Sequence, residues 1–173
     1  MDSITRNEAR KLIRDAGLGD SLIKHSEGVA RRAESVARML ASSGHILNLE
    51  LIVVGAILHD IGLVGPHGLD HGKASADLLE EYGLVSIAAL VREHVFPLSS
   101  HLPLEAKILA YANLTTGPEG EPVDYEKKLG FLYKIAYNWR NGKERFLALK
   151  ALDVKRKIVQ EIEELVHKAM VGS

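Results

Sequence analysis

Eight histidines and no cysteine set the metal chemistry open to this chain of 173 residues. The histidines are His25, His45, His59, His67, His71, His94, His101 and His167. Without thiols, neither a disulfide framework nor a thiolate metal site can form. Any metal must be held by imidazole, carboxylate or amide oxygen. All but His45 and His167 fall in segments that can converge in a helical bundle, whereas those two read as surface residues. A lone histidine is ordinarily a satisfied surface or core side chain. The adjacent pair His59-Asp60 is different. It follows the apolar run Leu49 to Leu58 and precedes Ile61-Gly62, where the chain should turn. A charge at the end of a buried element needs a partner. A divalent cation held by a neutral imidazole and a carboxylate is one solution. An arginine paired with Asp60, with His59 donating to a backbone carbonyl, is the other. The residues alone leave both open.

The string GAILHDIGL resembles the signature that names the HD superfamily of metal-dependent phosphohydrolases, and its surroundings extend the likeness. His25, followed by Val29-Ala30 and Ala33, is similar to the family's first helix, which supplies an upstream histidine ligand. His71 in DHGKASADLL resembles the histidine that opens the next helix of HDIG-type members, and His94 in VREHV the histidine that ends the helix after that. LEAKILAYAN resembles the segment whose closing aspartate is the final ligand. The likeness covers residues 18–114, and as a whole the chain looks like the short stand-alone HDIG-domain proteins of archaea. It implies an all-α helical bundle in which His25, His59 and Asp60 bind one divalent ion. In two-metal members Asp60 bridges, while His71 and His94 hold the second ion and His101 is a further candidate. The final aspartate falls on Asn113 here. An amide can ligate through its oxygen but does not help to offset a dication, so the first metal position is altered.

A bound divalent ion lowers the pKa of its water and neutralises phosphate oxygens, and two ions clamp both nucleophile and phosphoryl group. Imidazole-rich shells favour Mn, Fe, Co, Ni or Zn over Mg. Asp60 is the candidate to hold the metal and orient the attacking water. Lys73, two residues after His71, is a candidate catalytic or phosphate-binding cation, although a solvated lysine is the commoner case. One of Arg31, Arg32 and Arg92 is expected to face the pocket as a phosphate fork. His67 and Asp70 either line the entrance or satisfy their loop.

The elements that must position these residues read as helices. Thr5 with Glu8 has capping-box spacing, and Gly17 closes the first helix. Asp20 opens a second that runs to about Ser42, with Leu22, Val29, Ala33, Val36, Ala37 and Leu40 at helical intervals. Asn48 caps a third, Leu49 to about Asp60, which has no polar face and competes with a buried-strand reading. Glycines 62, 65, 68 and 72 with Pro66 mark a loop. Further helices are expected at about Lys73 to Tyr82, Leu84 to His94 and Pro103 to Leu114, then at about Asp124 to Trp139 and Lys143 to Met170. The loop 115–122 holds two Gly, two Pro and two Thr. It separates the bundle from a helical extension, residues 123–173, within one domain spanning 1–173. Trp139 and the stripe Tyr125, Phe131, Tyr133 and Tyr137 read as core or as a contact in a homo-oligomer.

With 22 basic against 23 acidic residues, no global charge recommends a nucleic acid as partner. The charged N-terminus does not read as a signal peptide, and the longest apolar run is too short to cross a bilayer. A cytoplasmic protein acting on a small phosphoester or nucleotide is therefore expected. Two other classes remain open: a degenerate HD module that binds metal or nucleotide without turnover, and a purely structural helical protein.

Overall fold

The computed structural model describes residues 4–66 and 70–171, so His67 lies outside the described residues. Eight α-helices and a 3-10 turn follow one another within them, and the pairing of Thr116 with Pro122 is an isolated β-bridge. Helix α1 (Arg6–Asp15) begins at the capping box of Thr5 and Glu8. Helix α2 (Asp20–Ser42) already includes Asp20, the expected cap, and Gly19 takes the N-cap position. The uniformly apolar run forms helix α3 (Leu49–Leu58), capped by Asn48, whose side chain accepts from the Leu51 N–H. It is helical because α1, α2, α5 and α6 surround it, which also explains its lack of a polar face.

The expected loop after Asp60 opens instead with the 3-10 turn Ile61–Val64. Helix α4 (His71–Glu81) starts two residues before the expected Lys73, because the Asp70 carboxylate accepts from the Lys73 N–H and caps it. Helix α5 is short (Val85–Val91), and residues 92–94 leave it in turns rather than extending it to His94. Helix α6 (Leu104–Leu114) follows Pro103. Helices α7 (Tyr125–Tyr137) and α8 (Gly142–Val171) form the C-terminal pair, and α8 packs on α2 and α6 as well as on α7.

The core is aliphatic, as the scarcity of aromatics requires. Leu40, Ile52, Ile57, Leu58, Ile61, Leu79, Ile108 and Leu109 are fully buried in the bundle, and Leu129, Ile158 and Ile162 continue it into the C-terminal pair. Burying each such side chain contributes roughly 1.5–3 kcal/mol. Phe131 and Tyr137 are exposed, which removes them from the expected core stripe, and Trp139 is half-buried against Phe96. Across the surface, Arg6 pairs with Glu34 and Glu50 and so ties α1 to α2 and α3. Lys107 pairs with Glu161, tying α6 to α8. No helix among the described residues is long and apolar enough to cross a membrane.

Candidate metal centre

Four segments deliver imidazoles to one carboxylate. His25 is in the second turn of α2, and His59 is the C-cap of α3. His71 is the first residue of α4, and His94 lies in the turn after α5. Asp60 sits between α3 and the 3-10 turn and is 5% exposed. Its Oδ2 lies 3.2 Å from His59 Nε2 and 3.9 Å from His25 Nε2. Its Oδ1 lies 3.3 Å from both His71 Nε2 and His94 Nε2. Two triads thus share one carboxylate: His25, His59 and Asp60, and Asp60, His71 and His94, with the ligand atoms of each within 4.8 Å of one another. The rings form a chain, 5.4 Å from His25 to His59, 5.0 Å from His59 to His94 and 5.2 Å from His94 to His71.

The opposite edges of three rings are fixed by main-chain carbonyls. His25 Nδ1 donates to Gly117 O at 2.8 Å, His59 Nδ1 to Ala56 O at 2.8 Å, and His94 Nδ1 to Val91 O at 2.7 Å. A carbonyl only accepts, so each Nδ1 carries a proton, and a ring that is neutral in this tautomer presents its Nε2 lone pair to Asp60. Burial, with a smaller contribution from neighbouring imidazoles, pushes His94 down to about 4 and lowers His25 as well. Both are therefore neutral at pH 7. Burial works to raise the Asp60 pKa, but the imidazoles of His59, His71 and His94 gathered about its oxygens outweigh burial and hold it well below the usual carboxylate range. A carboxylate facing lone pairs at 3.2–3.3 Å is an arrangement of acceptors that asks for a cation between them. His59 Nε2 makes the point most directly, because it is buried without a hydrogen-bond partner among the described residues. The donor set of imidazole nitrogen and carboxylate oxygen fits a divalent transition metal, and anchoring Nδ1 to carbonyls is how such ligands are oriented.

The sequence-level alternative for Asp60, an arginine partner, is not what the structure shows, while the expected His59 bond to a carbonyl is present. Asn113, next to the last residue of α6, reaches the edge of the first triad with its Oδ1 3.2 Å from His25 Nε2. The other candidates lie elsewhere. His101 is exposed in the loop before α6 and belongs to neither triad. Lys73 is exposed, and its ammonium pairs with Asp77 one turn along α4 rather than with the cluster. Arg92 pairs with Asp77 at 3.1 Å and Glu80 at 2.8 Å. Arg31 lies beside Gly120, and Arg32 donates to the Tyr111 hydroxyl at 2.8 Å while stacking on its ring. Glu119 pairs with Lys24 on the surface. A groove of about 800 Å³ lies next to the centre, lined by Asp70, Lys73, Asp77 and Arg92 on one side and by α8 on the other. The ligand atoms themselves are not in its wall.

Two contributions escape sequence reasoning. The loop 115–122, expected only as a boundary, supplies the Gly117 carbonyl that orients His25. Its seat is a contact between backbones: a Cβ on Gly28 would lie 2.4 Å from Gly120 Cα, and Gly120 itself has a left-handed φ of 81°. The glycine of HDIG has a similar role. Gly62 lies so close to α4 that a Cβ would meet Ser75 N at 2.3 Å, and its N–H donates to Ser75 Oγ at 3.0 Å. This contact fixes α4, and with it His71, against the turn that follows Asp60. The second contribution is Lys128 of α7, whose Nζ donates to Asn113 O and Thr116 O, both at 2.7 Å. Nothing in a helix with Lys127 and Lys134 beside it singles out this lysine.

The HD domain family model matches residues 22–116, more than half of the chain. The chain belongs to the HD-domain family. It is 32% identical over 133 residues to an uncharacterized protein of Methanocaldococcus jannaschii, in an alignment covering 64% of this chain and 79% of that protein. It is 30% identical over 80 residues to the tRNA (cytidine(56)-2'-O)-methyltransferase of Thermoplasma volcanium, covering 46% of this chain but only 22% of that enzyme. No solved structure matches at a significant level. The family match ends at the loop that carries Gly117, so α7 and α8 lie outside it.

Proposed function

We propose that this HD-domain chain is a metal-dependent hydrolase of phosphate esters or anhydrides, with a nucleotide-type substrate as the leading class. The observation that carries the reading is the pair of triads sharing Asp60. His25, His59 and Asp60 would hold one divalent ion, and Asp60, His71 and His94 a second. When bound, such ions supply Lewis acidity toward water and phosphate oxygens. The chain's own part is to present neutral Nε2 atoms, keep Asp60 ionised and shield the ligand atoms from bulk water. Mn, Fe, Co, Ni or Zn suits this shell better than Mg, which prefers oxygen ligands. The small-molecule class fits a centre set beside a groove rather than on an open basic face. The methyltransferase activity named for the Thermoplasma relative is not carried over, since the match covers only 22% of that enzyme.

Asn113 favours one second reading, a regulatory module that binds metal and nucleotide without turnover. The amide stands against His25 where a carboxylate would add charge to the first triad. Metal analysis of the purified protein decides between the two, combined with a panel of nucleotides and chromogenic phosphoesters assayed with Mn²⁺, Co²⁺ or Ni²⁺. Turnover abolished by EDTA supports the hydrolase. Retained metal and nucleotide binding with no product from any ester supports the module.

A further inference from the structure

The C-terminal pair brings two lysines towards the centre, and they differ in what satisfies them. Lys128 is held by two carbonyls at the end of α6, where the helix dipole and unpaired acceptors favour a cation. Lys155, midway along α8, is half-buried, and its ammonium makes no hydrogen bond or ion pair among the described residues. An ammonium withdrawn from water without a partner is costly, so such a group is rarely kept unless something binds it. Burial pushes its pKa down to about 8, and the charges that act on it are Lys128, which repels, and Asp60 and Asp70, which attract.

Those two acids locate Lys155. Asp60 is the shared carboxylate of the metal-ligand cluster, and Asp70 caps α4 and lines the neighbouring groove. Ala151, one helical turn before Lys155, lines the same groove, as does Lys150. Lys155 follows one turn beyond this wall, past the end of the groove that Lys150 and Ala151 line, within the field of Asp60 and Asp70. The groove also has an apolar stretch of wall, with the rings of Phe96 and Trp139 tilted against each other at 6.4 Å between centroids and Leu147 from α8. Lys73 and Arg92, on the opposite wall, are already neutralised by Asp77 and Glu80.

We propose that Lys155 is the phosphate-binding residue of this site, receiving a non-bridging oxygen of a phosphomonoester or terminal polyphosphate whose organic part lies in the groove. The inference rests on the hydrolase reading of the same cluster and assigns its substrate class. Lys128 and Lys155 offset Asp60 and Asp70, so the charge of any bound ion is left for the substrate to balance. A dianionic monoester balances it better than a monoanionic diester.

The test uses inorganic phosphate as probe, titrated calorimetrically into the Mn²⁺-loaded protein, with p-nitrophenyl phosphate and bis(p-nitrophenyl) phosphate as monoester and diester. The wild type should bind phosphate and prefer the monoester. Lys155→Met should weaken phosphate binding at least tenfold and raise KM for the monoester, with metal content and melting temperature retained. Lys155→Arg should recover most of the affinity, and Lys157→Met, exposed on the same helix, should behave as wild type. Unchanged phosphate affinity in Lys155→Met, no phosphate binding by the wild type at millimolar concentration, or preference for the diester overturns the proposal. If Lys155→Met does not fold, acetylation of the wild type read by peptide mass spectrometry decides, since phosphate should protect Lys155 and a lack of protection overturns it. Lys155-dependent phosphate binding without hydrolysis of either ester removes the hydrolase reading alone. Ester hydrolysis indifferent to Lys155→Met removes this proposal alone.

Discussion

Two polar clusters lie side by side around helix α4, and they are built on opposite principles. On the outer face, Lys73, Asp77, Arg92 and Glu80 form a ladder in which each charge meets its opposite. It is half-exposed, complete in itself, and worth little to stability. On the inner face, Asp60 is surrounded by His25, His59, His71 and His94, and three of the rings turn their protonated edges away from it toward carbonyls. That cluster is buried and is not complete in itself. Among the described residues, no arginine or lysine pairs with Asp60, and His59 Nε2 makes no hydrogen bond. In the sequence, Lys73 and Arg92 are as eligible for function as the histidines. The difference lies in satisfaction: a closed set of charges has nothing left to bind with, and an open set of acceptors does.

The sharpest way to break this comparison is to remove the central acid of each cluster. Asp60→Ala takes away the shared ligand of both triads, and both metal retention and metal-dependent turnover should be lost. Full metal content by elemental analysis in that variant would mean the centre is not the binding site. A gain-of-affinity change comes next. Asn113→Asp adds a carboxylate beside His25, and divalent metal affinity by titration calorimetry should rise about tenfold, or about 1.4 kcal/mol. An unchanged affinity would place position 113 outside the ligand shell.

Proton linkage gives a third measure. His94 is pushed down to about 4 in the folded protein, against about 6.5 when unfolded. Between these values the unfolded chain binds the extra proton, so stability rises with pH across that window and is lost as pH falls. For the metal-free protein the loss from pH 7 to pH 4 should be on the order of 3 kcal/mol from this residue. Denaturant melts that are flat from pH 7 to pH 5 would contradict a neutral buried imidazole. The smallest effect is expected on the outer ladder. Asp77→Ala releases Lys73 and Arg92 at the surface and should cost less than about 1 kcal/mol, with metal content unchanged.

Asp60 and the four histidines around it were legible through the resemblance to the HD family, carried by GAILHDIGL and by the segments about His25, His71 and His94. Residue type and spacing alone left the His59-Asp60 pair open between a metal and an arginine. The helical reading of Leu49 to Leu58 also held, although Ile and Val there suit a strand, because every face of the element meets another helix. Local pattern could not show long-range pairing. Arg92 meets Asp77 through the packing of α4 against the turn after α5, and no spacing rule reports that, whereas Lys73 meets Asp77 at the i,i+4 spacing of one helix. His101 sits near His94 in sequence but leaves on an exposed loop. Lys155 lies in the basic stretch Lys155 to Lys157, where nothing marks which residue turns inward.

The seating of Gly120 against Gly28 links two atoms with no chemistry of their own to the electronic state of a ligand. A methyl group at position 28 would act as a wedge between α2 and the loop and draw the Gly117 carbonyl away from His25. Released from that acceptor, the ring could move its proton to the other nitrogen and turn a blocked edge toward the metal. An Ala in place of Gly28 is thus a tautomer switch operated from outside the ligand set. Any ion held by the first triad would answer to a residue that has no side chain.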